Sequence, residues 1–260
     1  MEVIFWIVVS YLLGSIPFGY LISRLSGKNV LEMGWRKTSG SNVFKNVGWR
    51  QGAATGFFDV LKGYLAILGA QKLGLSLEFQ ALSGVAAVTG HNWSLFLKFA
   101  GGRGIGTFIG ALWALEPAIL LFSIFPLLIF AVVWDAAIGT ILFLAVVIGL
   151  SLHFNLNYSS GILGIVSLAP IFVKRLSPVR EIALSKNSVI LIFNRLIFDD
   201  DVLHGFRGAR IFSKTKNNSR RVMKIMKPLA APFMASSKIG YEVGKRGVKI
   251  VARPLQKLIF

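Results

Sequence analysis

The sequence predicts an all-α fold, a polytopic transmembrane helical bundle of about seven spans with its N-terminus outside. Three observations point to it. Hydrophobic residues make up 54% of the 260-residue chain and charged residues 15%, against about 25% charged in a soluble domain. Apolar runs of about 20 residues, the length a helix needs to cross a bilayer, alternate with short polar clusters. Threaded in order, those runs leave the basic clusters on one side. The 21 Phe exclude a disordered chain, which is poor in aromatics. With no Cys, a disulfide framework, a thiolate metal site and a cysteine nucleophile are excluded.

The first span covers 3–25. Only Glu2 precedes it as a charge, so it lacks the basic start of a signal peptide and reads as a retained helix. The second covers 52–73 and the third 79–99. The apolar stretch 105–155 is too long for one crossing. Glu116-Pro117 and Trp134-Asp135 cut it into 105–115, 117–133 and 136–152. The seventh span, 161–173, is short and contains Pro170. The loop 26–51 carries Lys28, Arg36, Lys37, Lys45 and Arg50 against Glu32, which assigns it to the cytoplasm. Alternation puts Lys98, Arg103, Lys174, Arg175 and Arg180 on that side, and Glu2, Lys72, Glu78 and Glu116 opposite.

The net charge of +18 is unevenly spread: residues 1–185 carry +6 and residues 186–260 carry +12. The expected domains are therefore a bundle over 1–185 and a basic cytoplasmic tail over 186–260. The apolar run 188–198 in the tail is interrupted by Asn194 and Arg195, too short to span, and suits an interfacial helix. The tail's charge suits anionic lipid headgroups or a topogenic signal. Nucleic acid is not an expected partner.

Ionisable groups inside apolar spans are rare, and they pair with one another or face a cavity. Asp59 and Lys62, in FFDVLKG, stand three apart and share a helix face. Either they satisfy each other as a packing ion pair, or Lys62 faces an anionic ligand and Asp59 orients it. His91, in TGHNWSLF, is either a packed histidine or a functional one. No second His stands at ligand spacing, so a metal is not expected.

The run Gly101-Gly102-Arg103-Gly104-Ile105-Gly106-Thr107 exposes backbone N–H groups at the start of a helix and adds a forked cation suited to phosphate. It lacks the Walker spacing, and its rival reading is a glycine-rich packing junction. The loop Arg36-Lys37-Thr38-Ser39-Gly40-Ser41-Asn42 sets small hydroxyl and amide groups beside two cations. These three segments all fall near the expected inner face. A site for a phosphorylated substrate at the cytoplasmic membrane surface is the economical reading.

These residues resemble a known family, the bacterial integral-membrane glycerol-3-phosphate acyltransferases that use acyl phosphate (PlsY). The resemblance rests on GSIPFGYLISRL at 14–25, DVLKG at 59–63, GH at 90–91 and FAGGRGIGTFIG at 99–110, and covers roughly 1–185. The chain departs from the family's pattern in places. The loop TSGSNV at 38–43 is shorter than the family's GSGNPGATN, which leaves Ser39, Gly40, Ser41 and Asn42 as its counterparts. The family's lysine within the glycines is Arg103 here. An inner-loop His and Asn expected near 174–180 are absent there.

The resemblance implies acyl transfer from acyl phosphate to the sn-1 hydroxyl of glycerol 3-phosphate, giving lysophosphatidate, with no cofactor and no metal. It implies a multi-pass protein of the bacterial inner (plasma) membrane with its active face cytoplasmic. It gives catalytic roles to His91, Lys62 and Arg103. Substrate-binding roles fall to Arg36, Ser39, Gly40, Ser41, Asn42, Asp59, Gly101, Gly102, Gly104 and Thr107. The alternative is an inactive paralogue that binds a phosphorylated lipid or acyl phosphate without turnover.

Overall fold

The computed structural model describes residues 1–185, 187–200, 239–244 and 247–252. The chain divides into two compact units, Met1–His204 and Gly205–Phe260. Every regular element described in the first unit is helical.

The expected first span is two helices, α1 Glu2–Ser15 and α2 Phe18–Leu25. Pro17 causes the break. It has no N–H to donate and pushes Ile16 out of the helical region, to φ −57 and ψ 116. A short α3, Gly40–Asn46, leads into α4, Trp49–Lys72, which carries Asp59 and Lys62. The third expected span is α5, Leu77–Asn92, which ends at Asn92 rather than 99. There the Ser94 hydroxyl donates to the Ser15 carbonyl at 2.5 Å, and Lys98 and Phe99 take positive φ values. These constraints turn the chain back on itself.

The stretch 105–155 divides where the sequence predicted, into α6 Ile105–Leu115, α7 Pro117–Val133 and α8 Ala136–His153. Pro117 opens α7 at a position where no helical N–H is needed. The Asp135 side chain caps α8 by accepting from the Ala137 N–H at 2.7 Å. After a π-helical turn at Asn157–Gly161 comes α9, Ile162–Arg175, followed by α10, Val179–Leu184, and α11, Ser188–Phe198.

Three helical stretches are long and apolar enough to cross a membrane: Glu2–Leu25, Trp49–Lys72 and Ala136–His153. Two apolar helices of the expected spans, α6 and α7, are shorter. In lipid, helices gain little by hiding apolar surface from one another, so close approach through small residues holds them together. Gly63 of α4 leaves room only for the Thr107 carbonyl, and Gly110 of α6 only for the Val60 carbonyl. Gly14 and Gly90 bring α1 against α5 in the same way. The buried centre holds Ile67, Val88, Phe108, Leu112, Phe143 and Leu163, with Phe108 and Phe143 packed edge to face at 5.7 Å. Large apolar side chains such as Phe5, Val8, Leu121, Phe122 and Val132 point outward.

The predicted helix at 188–198 forms, but its polar residues face the bundle. Asn194 and Arg195 are buried, while Val189, Ile190 and Phe193 are exposed. Arg195 donates to the carbonyls of Leu176 and Pro178 at 3.1 and 3.0 Å. The first compact unit therefore runs past the expected boundary at 185. In the second unit, strands β1 Ile239–Gly244 and β2 Gly247–Ala252 pair antiparallel, with Ile239 opposite Ala252 and Gly244 opposite Gly247. This hairpin is an addition to the all-helical expectation. Val, Ile and Tyr in these segments favour extended backbone. Most of the basic tail, and with it the expectation of anionic headgroup binding, lies outside the described residues.

Candidate active site

The site is assembled at the end of the bundle where α5 stops and α6 begins. Between them the glycine run folds back against α5. Gly102 N–H donates to the His91 carbonyl at 3.0 Å, and Gly101 lies against the carbonyls of His91 and Asn92. No Cβ fits at Gly102, because the Nε2 edge of the His91 ring occupies that space. Gly104 takes φ +80, a left-handed conformation open to glycine, and so starts α6. The first loop joins here too, since the Thr38 N–H donates to the Gly101 carbonyl at 3.3 Å.

Beneath the glycines lies a buried ionic trio. Asp59 Oδ1 is 3.1 Å from Lys62 Nζ and 3.3 Å from His91 Nδ1. All three side chains are at most 5% exposed. Lys62 also donates to the Ile16 carbonyl at 3.2 Å. The broken helix supplies that acceptor, because Pro17 interrupts the ladder that would have used it. The charges are paired and hydrogen-bonded, the condition under which a bilayer-buried ion is tolerated. Asp59, Lys62 and His91 thus meet one another, and Gly106 packs against Asp59. Thr107 is buried in the same layer, its hydroxyl without a partner among the described residues.

Arg103 makes its contacts elsewhere. Its guanidinium stacks over the Trp35 ring at 4.6 Å and pairs through Nε with the Asp199 carboxylate. Its Nη2 donates to the Asp199 backbone carbonyl at 3.2 Å. Lys37 pairs with the other oxygen of Asp199 at 3.1 Å. Burial pushes the Lys37 ammonium below the usual lysine range, and the Asp199 carboxylate opposes that shift. An open cleft of about 130 Å³ adjoins the cluster, lined by Trp35, Arg36, Lys37, Arg175, Ser177, Arg195 and Asp199 among others.

The remaining loop residues divide by role. Asn42 is fully engaged in shaping the loop: its amide donates to the Val30, Met33 and Lys37 carbonyls, and its oxygen accepts from the Trp35 N–H and the Asn46 amide. The hydroxyls of Ser39 and Ser41 touch only each other, at 3.4 Å, among the hydrogen bonds described. Gly40 lets α3 sit on the backbone of Gly52 and Gly56. Arg36 turns away to Glu181 at 2.9 Å. Two hydrogen bonds, from Arg36 and then Arg195, hold the Glu181 carboxyl below the usual carboxylate range.

Lys37 was legible as one of the two loop cations; Trp35, Arg195 and Asp199 were missed as members of this cluster. One signal was present. Three of the four acidic residues in the strongly basic segment 186–260 are consecutive, Asp199 to Asp201.

Comparison with known proteins is consistent across sequence and structure. A family model described as glycerol-3-phosphate acyltransferase matches residues 4–222. Glycerol-3-phosphate acyltransferase 5 of Dehalococcoides mccartyi is 34% identical over 203 residues, covering 75% of this chain and 87% of that protein. A glycerol-3-phosphate acyltransferase of Trichlorobacter lovleyi is 40% identical over 144 residues, covering 55% and 74%. The crystal structure of PlsY, an integral membrane glycerol 3-phosphate acyltransferase, in its glycerol 3-phosphate form superposes with a TM-score of 0.59 at 28% identity. It covers 71% of this chain and 93% of that one. The lysophosphatidic acid form superposes with a TM-score of 0.57 at 28% identity, with the same coverage. Because the family match runs from α1 through α11, with a solved membrane bundle of the same fold beside it, this integral membrane chain belongs to the glycerol-3-phosphate acyltransferase family.

Proposed function

We propose that the protein transfers a fatty acyl group from acyl phosphate to the sn-1 hydroxyl of glycerol 3-phosphate, giving lysophosphatidate. The observation that carries this reading is the convergence of Lys37 and Arg103 on one anion beside the glycine run and the first loop. Two cations with different geometry suit a phosphate: the guanidinium offers a fork and the ammonium a point charge. In the reaction the hydroxyl oxygen attacks the acyl carbonyl carbon. The carbon–oxygen bond to phosphate breaks, inorganic phosphate leaves, and a phosphate oxygen takes the hydroxyl proton. Acyl phosphate is an activated mixed anhydride, so positioning and charge stabilisation suffice.

In this reading Arg103 and Lys37 hold substrate phosphate, while Gly101, Gly102 and Gly104 offer backbone donors. Ser39 and Ser41 hydrogen-bond the glycerol. Asp59 and Lys62 set the position of His91, and His91 fixes the glycine run. The bundle crosses the membrane about seven times with its N-terminus outside, as the charge pattern favours. The active end and α11 then lie at the cytoplasmic surface, with Val189, Ile190 and Phe193 of α11 against lipid.

The test is transfer of radiolabelled glycerol 3-phosphate into lysophosphatidate, with palmitoyl phosphate as donor, by protein in mild detergent. Product from wild type and a loss of at least tenfold in Arg103→Ala is the expected result. No product from folded wild-type protein would overturn the reading.

A further inference from the structure

Lys37 and Arg103 already hold an anion, and it belongs to the chain itself. The two oxygens of the Asp199 carboxylate are divided between them. Its side chain is 4% exposed, so the carboxylate is withdrawn from water into the cation pair.

Asp199 is poorly placed for any other purpose. It stands at the C-terminus of α11, where the helix dipole disfavours a negative charge. Its backbone is left-handed, φ +51, a conformation that costs a non-glycine residue energy although Asp and Asn tolerate it best. Neither feature favours a carboxylate there; the ion pairs with Lys37 and Arg103 compensate, with the charge of Arg175 acting on Asp199 as well. A carboxylate brings one negative charge, whereas a phosphate monoester brings close to two, with three acceptor oxygens. The resident anion is therefore outmatched by a phosphate and well matched to a simple carboxylate.

We infer that Asp199 is a specificity-determining residue, an internal counter-ion that occupies the phosphate position between Lys37 and Arg103 and must be displaced by substrate. It holds the cations in register before substrate arrives and excludes singly charged anions. This inference rests on the proposed assignment of Lys37 and Arg103 to substrate phosphate.

The experiment uses the full chain in detergent and compares wild type with Asp199→Asn, which keeps the side-chain shape and tolerates the left-handed backbone. Melting temperature is followed while inorganic phosphate, and separately acetate, is titrated. KM and kcat for glycerol 3-phosphate are measured in parallel. In Asp199→Asn the phosphate concentration giving half-maximal protection falls by about threefold or more, the scale of a partly exposed ion pair. Acetate begins to protect the variant but not wild type, and the kinetic change falls on KM, which drops. An unchanged or raised phosphate midpoint, or a KM that rises, would overturn the inference. If Asp199→Asn does not fold, Asp199→Gly, which suits the positive φ, carries the same comparison. If wild type transfers no acyl group, the proposed reaction fails, but the phosphate titration still decides the counter-ion.

Discussion

His91 is fixed from two sides, by the Asp59 carboxylate 3.3 Å from Nδ1 and by the backbone of Gly102 at the opposite edge of its ring. The imidazole therefore transmits the position of α4 to the glycine run. The buried Asp59–Lys62 pair is thereby linked to the glycine run.

That relationship makes Asp59 a structural determinant that can be tested. Asp59→Asn leaves the Lys62 ammonium buried without its counter-charge, and removing one partner of a buried pair costs about 3–5 kcal/mol. A clear fall in melting temperature in mild detergent is expected. Adding Lys62→Met removes the stranded charge and should restore most of the loss. A double variant no more stable than the single would contradict the pairing.

Arg103 differs from a lysine in this position because it stacks on Trp35 and reaches both the side chain and the carbonyl of Asp199. Arg103→Lys keeps the charge but loses the fork and the stacking. Its KM for glycerol 3-phosphate should rise about tenfold, and that of Arg103→Ala about a hundredfold, from losing one or more hydrogen bonds to a charged group. Steady-state kinetics at saturating acyl phosphate separates the two.

The α4–α6 contact depends on the absence of a side chain at Gly110, where a Cβ would enter the Val60 carbonyl. Gly110→Ala must push the helices apart. A loss of about 1–3 kcal/mol is the usual cost of overpacking. Gly149, inside α8, faces open space, so Gly149→Ala serves as the control and should melt at or slightly above wild type.

Glu181 links Arg36 at 2.9 Å and Arg195 at 2.6 Å. Its folded-state ionisation lies below the ordinary value of 4.5 because the ionised form accepts those bonds. The stabilisation it gives is present above that ordinary value and is lost as pH falls through the lowered one. Glu181→Gln should therefore be less stable than wild type at pH 6. The gap should narrow as the pH of the melting series falls below 4.5 and through the lowered folded-state value.

Much of the helical layout was legible. Glu116-Pro117 and Trp134-Asp135 mark the breaks between α6, α7 and α8 because proline and a capping carboxylate act on their own neighbours. The adjacency of Asp59 and Lys62 follows from helix spacing alone. Other features depend on contacts distant in sequence. The halt of α5 at Asn92 is tied to Ser15 and to the glycine run. The break at Pro17 exposes a carbonyl whose value appears only when Lys62, on another helix, reaches it. Asp199 was hidden by its surroundings in sequence, since a carboxylate in a basic segment reads as a solvated charge until Lys37 and Arg103 are seen around it. Arg36, prominent in the loop, points to Glu181 instead.

The inward-facing Arg195 bears on how this protein can be shortened. Composition invites a cut at 185, where the apolar chain gives way to basic sequence. Such a cut would strip the donor from the Leu176 and Pro178 carbonyls, one of the two counter-charges from Glu181, and the shared carboxylate from Lys37 and Arg103. The shortened bundle would expose a raw polar seam beside the glycine run and the first loop. The natural place for a protease site or a fusion partner is after His204, where the first compact unit closes.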